Sequence, residues 1–502
     1  MTRRPSRRQF VAGTAAGTIA STFIPGLPSV SADEIRATTR IVQFGSGIES
    51  LVRLIEDSSR ERLLEKIAAQ IQNGRSYREV LAALLLAGIR NVQPRPSVGF
   101  KFHCVLVVNS CHLASLSGPD EDRWLPVFWA LDYFKSSQAD EAQRSGWKMK
   151  PVRESLVPDA LHTRTLFTKA MDTWDVEKAD AATAGLVRTA GATEIFNLFA
   201  QYAARDYRSI GHKAIYLANS WRALQVIGWE FAEPVLRSLA FALLNHSGES
   251  RPDKSDHKAD IPWRENKSLL ASVPETWLDG SLDSGLTTDL IRGARSASAT
   301  EIAAAAAGGL KSGANPQSVW DAVFVGAGEL LMKQPGIIGL HGLTTANAVH
   351  YLYSNVRSDT LRQRLLLQAC SFGPMFRESA RGRGNLAPHS ISVFDSPKAP
   401  DTSLESVLSE ISKDRLRSAK LAHNYLSNGG NAHKFISAAR RLLFLKGRDA
   451  HDYKFSSAVL EDYAHISPEW RDRFLALAVF NLKGSGHSDS GIVNRTRAAL
   501  AG

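Results

Sequence analysis

The feature that most restricts how this chain can fold is a series of landmarks that recurs along it. Ile67-Ala68-Ala69 leads to Gly74, a helical stretch from Arg78 to Asn91, Pro94, and an apolar run in which His103, Asn109 and His112 stand six and three residues apart. The same order returns at Ile302-Ala303-Ala304, Gly313, a helix from Gln317 to Met332, Pro335, and a run holding His341, Asn347 and His350 at the same spacings. Two fainter copies align with these. One passes from Gly191 through a helix at Glu194 to Arg205 into Gly211-His212-Lys213 and on to Asn219 and Arg222. The other passes from Gly430 through a helix at Lys434 to Leu445 into a run ending in Asp462 and His465. With the Asn or Asp as anchor, the copies fall at 109, 219, 347 and 462.

Apolar residues recur at helical spacing almost throughout, and no sustained alternation calls for strands. An apolar helix follows each anchor, at Leu125 to Phe134, Pro234 to Leu244, Leu361 to Cys370 and Pro468 to Leu482. A unit of roughly 115 residues is far longer than a solenoid repeat, so the expected fold is all-α, with four duplicated multi-helix units packed around a shared interior. The units divide at 33–150, 151–285, 286–402 and 403–502, with a polar insertion at 246–284 in the second and an Arg-, Gly- and Pro-rich loop at 377–402 in the third. Such insertions serve as lids, binding loops or plain connectors. The glycines near 74, 191, 313 and 430 stand where a left-handed cap would end a helix. Trp129, Trp221, Trp229, Trp320 and Trp470 read as core. Glu230 and Glu233 read as surface ion-pair partners of Arg222 and Arg237, and the clusters at Arg377, Arg381, Arg383 and at Arg440, Arg441, Lys446, Arg448 as solvated surface. Three cysteines cannot supply a disulfide framework for 502 residues.

Residues 1–32 hold four arginines and no acid, a weakly apolar stretch from Val11 to Ile24, and Val30-Ser31-Ala32 where a signal peptidase would cut. Ser6-Arg7-Arg8-Gln9-Phe10-Val11 resembles the bacterial twin-arginine export signal. That resemblance implies a periplasmic or secreted protein, the twin-arginine machinery as a partner, and a route often used by proteins that fold around a cofactor before export. Removing the segment leaves 470 residues and lowers the net charge from +11 to +7, spread along the chain. Nucleic acid is an unsuitable partner for such a protein, and no apolar run in the remainder approaches the length of a membrane span.

Apolar helices need neither His nor Asn at matched positions in order to fold. Asn and the residue three later share a helix face, giving Asn109/His112, Asn219/Arg222, Asn347/His350 and Asp462/His465. In a closed arrangement these faces converge. His112, His350, Asp462 and His465 are then candidate ligands of one metal ion, iron, copper or zinc, with Asp462 the only anionic donor and Arg222 able to hold it or an anionic substrate. His103, Asn109, His212, Lys213, Asn219, Arg222, His341 and Asn347 are candidate binding residues for a small-molecule ligand. His103 and His341 precede the second histidine of their runs by nine residues, which on a straight helix puts each pair on opposite faces. The competing reading is structural, with buried amides and imidazoles tying helices together.

Cys-x-x-Cys-His, His-Glu-x-x-His, a P-loop and a dinucleotide-binding glycine motif are all absent from the chain. His-led apolar helices, and Leu340-His341-Gly342-Leu343-Thr344 in particular, resemble the questin oxidase-like proteins. That resemblance implies an all-helical fold and an oxygenase acting on aromatic polyketides with NADPH and molecular oxygen. Together these features suggest an exported helical protein with a His/Asn-lined interior site and oxidoreductase chemistry. The alternative is a non-catalytic helical scaffold or ligand-binding protein.

Overall fold

The anchor-bearing runs form four helices, His103–Leu116, His212–Ile227, Ile337–Asn355 and Ala450–Asp462, named below by their first residues. They belong to a computed structural model that describes residues 41–94, 103–244, 250–252, 254, 256–395 and 402–501. The segment that resembles an export signal, Phe100-Lys101-Phe102 and parts of both insertions lie outside the described residues. Among the described residues there are 22 α-helices, six short 3-10 turns and no strand beyond one isolated bridge between Ser281 and Ala314. None of these helices is long and apolar enough to cross a membrane.

The four anchor helices pack in cyclic order, the 103 helix against the 212 and 450 helices and the 337 helix against the same two. Each is flanked by its own neighbours in sequence. Tyr77–Asn91 and Leu125–Arg144 cover the 103 helix, and Ala192–Ala204 and Ala232–Leu244 the 212 helix. Pro316–Lys333 and Asp359–Arg381 cover the 337 helix, and Ala432–Lys446 and Pro468–Ala478 the 450 helix. A helix enclosed by others on every side has no solvent face, so its sequence can be apolar all round. The 103 helix fits that account, since every residue from His103 to His112 is buried. The last helix, Gly491–Ala501, returns to pack on Leu63–Gln72 and Leu125–Arg144, where Arg495 reaches Asp132 at 3.2 Å.

Local signals account for several helix ends. Ser76 and Glu79 form a reciprocal capping box at the start of Tyr77–Asn91. Gly74 and Gly313, both at φ +94°, end Leu63–Gln72 and Ala299–Lys311 in a conformation that costs glycine little. Gly191 instead starts a helix at φ −74°, and Gly429 rather than Gly430 takes the left-handed turn.

Other details depart from expectation. The 246–284 insertion contains a helix, Ile261–Leu269, because Trp263 and Asn266 give it a buried face: Arg364 stacks 3.7 Å from the Trp263 ring and Asn266 donates to Gln368 at 3.0 Å. Trp229 is 37% exposed at a 3-10 turn, unlike the four other tryptophans expected in the core. Arg377 is buried, because its guanidinium donates to the Ala294 and Ala297 carbonyls at 2.8 and 2.9 Å. Lys446 is buried as well, donating to Asp489 at 2.7 Å. Glu230 pairs with Arg78 at 3.2 Å, and Glu233 lies closer to Arg188, at 3.0 Å, than to Arg237, at 3.9 Å.

Candidate metal centre

Four imidazoles, one from each inner helix, meet in the middle of the ring. His103 and His212 are the first residues of their helices, His451 the second and His341 the fifth, so all four come from N-terminal turns. Ring centroids separate by 4.5 Å for His103 and His451, 5.1 Å for His451 and His341, 4.6 Å for His341 and His212, and 5.2 Å for His212 and His103. That order is the order in which the helices pack. One ring nitrogen from each of His103, His341 and His451 lies within 4.8 Å of the others.

For three of the four, hydrogen bonds determine which nitrogen faces inward, whereas His103 Nδ1 lies 3.0 Å from Lys454 Nζ. His212 Nδ1 lies 2.7 Å from the Ser209 carbonyl and His341 Nδ1 lies 2.6 Å from the Ile337 carbonyl. A carbonyl only accepts, so both Nδ1 atoms carry the proton. His451 Nδ1 lies 2.6 Å from Asp449 Oδ1, and its Nε2 is buried with no partner. His341 Nε2 and His212 Nε2 stand 3.1 Å apart. With both protons spent on Nδ1, two bare lone pairs face each other, an arrangement that repels unless a cation satisfies both.

A proton is a poor candidate for that cation. Burial, then the charge of Lys454, pushes His212 down to about 3, and burial with His212 and Lys454 carries His341 well below the usual imidazole range. Burial and Lys454 likewise depress His103, and burial lowers His451 despite Asp449. The positive ends of the helix dipoles act in the same direction. Lys454, 3.0 Å from His103 Nδ1, is itself brought down to about 7 by burial. Burial pushes Asp449 up, but its bonds from the His451 side chain and backbone outweigh that and hold it at about 2. Neutral imidazoles with Nε2 inward and Nδ1–H tied to a carbonyl or carboxylate are the usual state of metal-binding histidines. Metal–nitrogen bonds of about 2.0–2.1 Å place adjacent donors roughly 3.0–3.4 Å apart and opposed donors about 4.2 Å apart. The 3.1 Å pair matches the first distance.

The anchor amides form a separate layer further along the same helices. Asn109 donates to Asn219 at 3.0 Å and Asn347 donates to Asp462 at 2.7 Å and to Glu461 at 3.0 Å. Arg222 donates to Asn347 at 3.3 Å and to both Glu461 oxygens at 3.1 and 3.0 Å, and stacks 4.2 Å from the Tyr351 ring. Asn109, Asn219, Arg222, Asn347 and Lys454 line a cavity of about 10 Å³, close to the space one water occupies. Burial, then Glu461, pushes Asp462 well above the usual carboxylate range.

The other residues singled out by the sequence are dispersed. His112 turns outward to the Tyr77 hydroxyl at 3.1 Å. His350 lies between Trp320 and His465, with ring separations of 4.8 and 4.7 Å, and burial brings it to about 3. The Asp462/His465 pair does not share an α-helical face, because the 450 helix ends at Asp462 and Tyr463–His465 is a 3-10 turn. Asp462 faces Asn347 while His465 faces His350. Lys213 is spent on Asp206 at 2.6 Å. Thus His103, His212 and His341 come together, joined by His451, while His112, His350, Asp462 and His465 do not gather around one point. His451 escaped sequence reasoning because it lies 11 residues before its anchor, against six or seven in the other copies. The available signal was its place in the first turn of its helix, two residues after the Asp449 cap. Cys104, Cys111 and Cys370 are free and buried, their thiols pushed up by burial.

Compared with known proteins, the chain matches no protein family, no curated sequence and no solved structure.

Proposed function

We propose that this is an exported oxidoreductase that holds one redox-active transition-metal ion on His103, His341 and His451, with His212, whose Nε2 lies 3.1 Å from that of His341, as fourth ligand. The observation that carries this reading is the 3.1 Å approach of two Nε2 atoms whose Nδ1 protons are both committed elsewhere. Imidazole donors suit iron, copper and zinc. Zinc on four imidazoles would be coordinatively filled and chemically idle, whereas iron or copper keeps positions for a reacting molecule. The likeness around His341 to questin oxidase-like proteins agrees with oxygen chemistry, and the twin-arginine-type segment agrees with loading before export. The flanking of each inner helix by its neighbours in sequence agrees with four duplicated units.

The deciding experiment is metal analysis and electron paramagnetic resonance on protein exported through its own signal. About one iron or copper per chain, with a spectrum of nitrogen ligation, is expected; protein without stoichiometric metal overturns the reading. Export is tested separately. The mature N-terminus should lie at or near Asp33, and Arg7→Lys with Arg8→Lys should block export, since the pair is read by a receptor rather than by charge. Undiminished export of the double variant excludes that route. The scaffold reading is favoured by one observation only, the cross-helix hydrogen bonds of the amide layer, and we assign helix anchoring to that layer.

A further inference from the structure

A pocket of about 300 Å³ opens between the Pro316–Lys333, Ile337–Asn355 and Asp359–Arg381 helices, closed on one side by Leu386, Ala387 and Pro388. Gly342, Thr345, Ala346 and Val349 of the 337 helix line it, a face turned about 90° from His341. Much of its lining is apolar, including Ile291, Ile302, Leu330, Phe372 and Phe376. The closing segment is built in: the Ala387 amide donates to the Lys333 carbonyl at 2.8 Å, the Gln334 side chain to the Gly384 carbonyl at 3.2 Å, and the Ile391 amide to Glu329 at 3.0 Å. It belongs to the 377–402 stretch that the sequence marks as a lid, a binding loop or a connector.

Two glycines keep this space open. Gly326 and Gly342 sit inside helices, where glycine is the poorest former after proline. Neither has a positive φ. A Cβ at Gly326 meets nothing within 4 Å, and one at Gly342 meets only the Ala327 Cβ at 3.8 Å and the Phe376 ring at 3.9 Å, which is ordinary contact. Neither close packing nor backbone conformation calls for glycine at these positions. What the missing side chains preserve is volume.

The charged part of the lining is mainly cationic. Arg295, Lys333, Arg377 and Arg381 belong to it together with one carboxylate, Glu329. Glu329 is held by Arg295 through two bonds of 2.8 Å and by Lys333 at 3.7 Å. Arg377 and Arg381 share Glu378 at 2.8 and 3.0 Å. Four cations against two carboxylates leave an excess of positive charge in the lining of a largely apolar chamber. The Arg381 side chain is half exposed.

We propose that this pocket binds an amphipathic small molecule, with an apolar body on the order of 15 non-hydrogen atoms in the chamber and a single carboxylate against Arg381. The site is independent of the histidine centre and stands whether or not that centre holds a metal. Isothermal titration of the exported protein with decanoate, 2-naphthoate and the uncharged decanol tests it, once as isolated and once after chelator treatment. At least one of the two acids should bind one to one and about tenfold more tightly than decanol, as a charge-assisted hydrogen bond predicts. Preference between the two acids tells a flexible chain from a flat ring. Arg381→Ala should remove most of the advantage of the acid over the alcohol, and Gly326→Leu should abolish binding while Gly326→Ala keeps it. If Gly326→Leu does not fold, the exposed Arg381→Ala decides alone. Binding of neither acid, equal binding of decanol, or full affinity in a folded Gly326→Leu protein overturns the proposal.

Discussion

The same four helices carry two buried polar layers, and their chemistry differs. In the amide layer Asn109 meets Asn219, Asn347 meets Asp462, and Arg222 meets Glu461, so donors face acceptors. In the histidine layer His212 and His341 turn acceptor toward acceptor while their N–H groups bond outward. Buried polar groups are normally satisfied by protein or water. A layer whose donors mostly find acceptors within it, with only Asn109 Oδ1 and Asp462 Oδ2 left without a partner, holds helices together, and one that points its lone pairs at a common centre is complete only with a cation there. The comparison teaches that buried polarity marks a function when its hydrogen-bond accounts are left open at one shared point.

The largest effect should come from the histidine layer. His341→Ala and His212→Ala are each expected to lower bound metal from about one per chain to near zero by elemental analysis, with helix content unchanged. His112→Ala and His350→Ala should keep it, because those rings face Tyr77 and Trp320. Retention of metal by His341→Ala would break the distinction between the layers.

Removing the metal comes next. A ligand held at a thousand times its dissociation constant stabilises the native state by about 4 kcal/mol, so chelator-treated protein should unfold at a clearly lower denaturant concentration. An unchanged midpoint would mean that nothing bound is coupled to folding.

Asn347→Ala addresses the other layer. It strips a donor from Asp462 and Glu461 and an acceptor from Arg222, a loss of about 2 kcal/mol by the usual cost of orphaned buried groups, read in denaturant unfolding. Bound metal should stay the same.

The smallest expected effect is also the sharpest in sign. The Asp462 carboxyl is raised in the folded state, chiefly by burial, so it binds its proton more tightly folded than unfolded. Stability therefore falls as pH rises from the unfolded carboxylate range through the raised folded value, and is restored as pH drops. Asp462→Asn keeps an acceptor for Asn347, and should be at least as stable as wild type at neutral pH and lack this pH dependence, as equilibrium unfolding at several pH values would measure. Should Asp462→Asn instead lose metal, the ion belongs with Asp462, His112, His350 and His465, and the two layers exchange roles.

Much of the fold was legible because helices are written locally. The stretch expected at Arg78 to Asn91 is Tyr77–Asn91, and that at Gln317 to Met332 is Pro316–Lys333. The centre was legible only in part. His103, His212 and His341 stood out by matched spacing, but spacing could not tell which histidine of each run faces inward, and it passed over His451 and Lys454. Trp229 and Arg377 were misjudged for a similar reason, since exposure is set by what packs against a helix rather than by the helix itself.

The sequence by itself determined an all-helical chain, the runs that become the four innermost helices, and a set of polar residues recurring at matched positions in those runs. Those follow from 3.6-residue periodicity and from caps, which are properties of neighbouring residues. The tertiary structure alone decided that these four helices close into a ring, that the first histidines rather than the second meet at its centre, and that the anchor residues bond one another across the ring. Each of these is a relation between atoms more than a hundred residues apart in the chain, and a donor or a lone pair acquires its meaning only from the group placed opposite it.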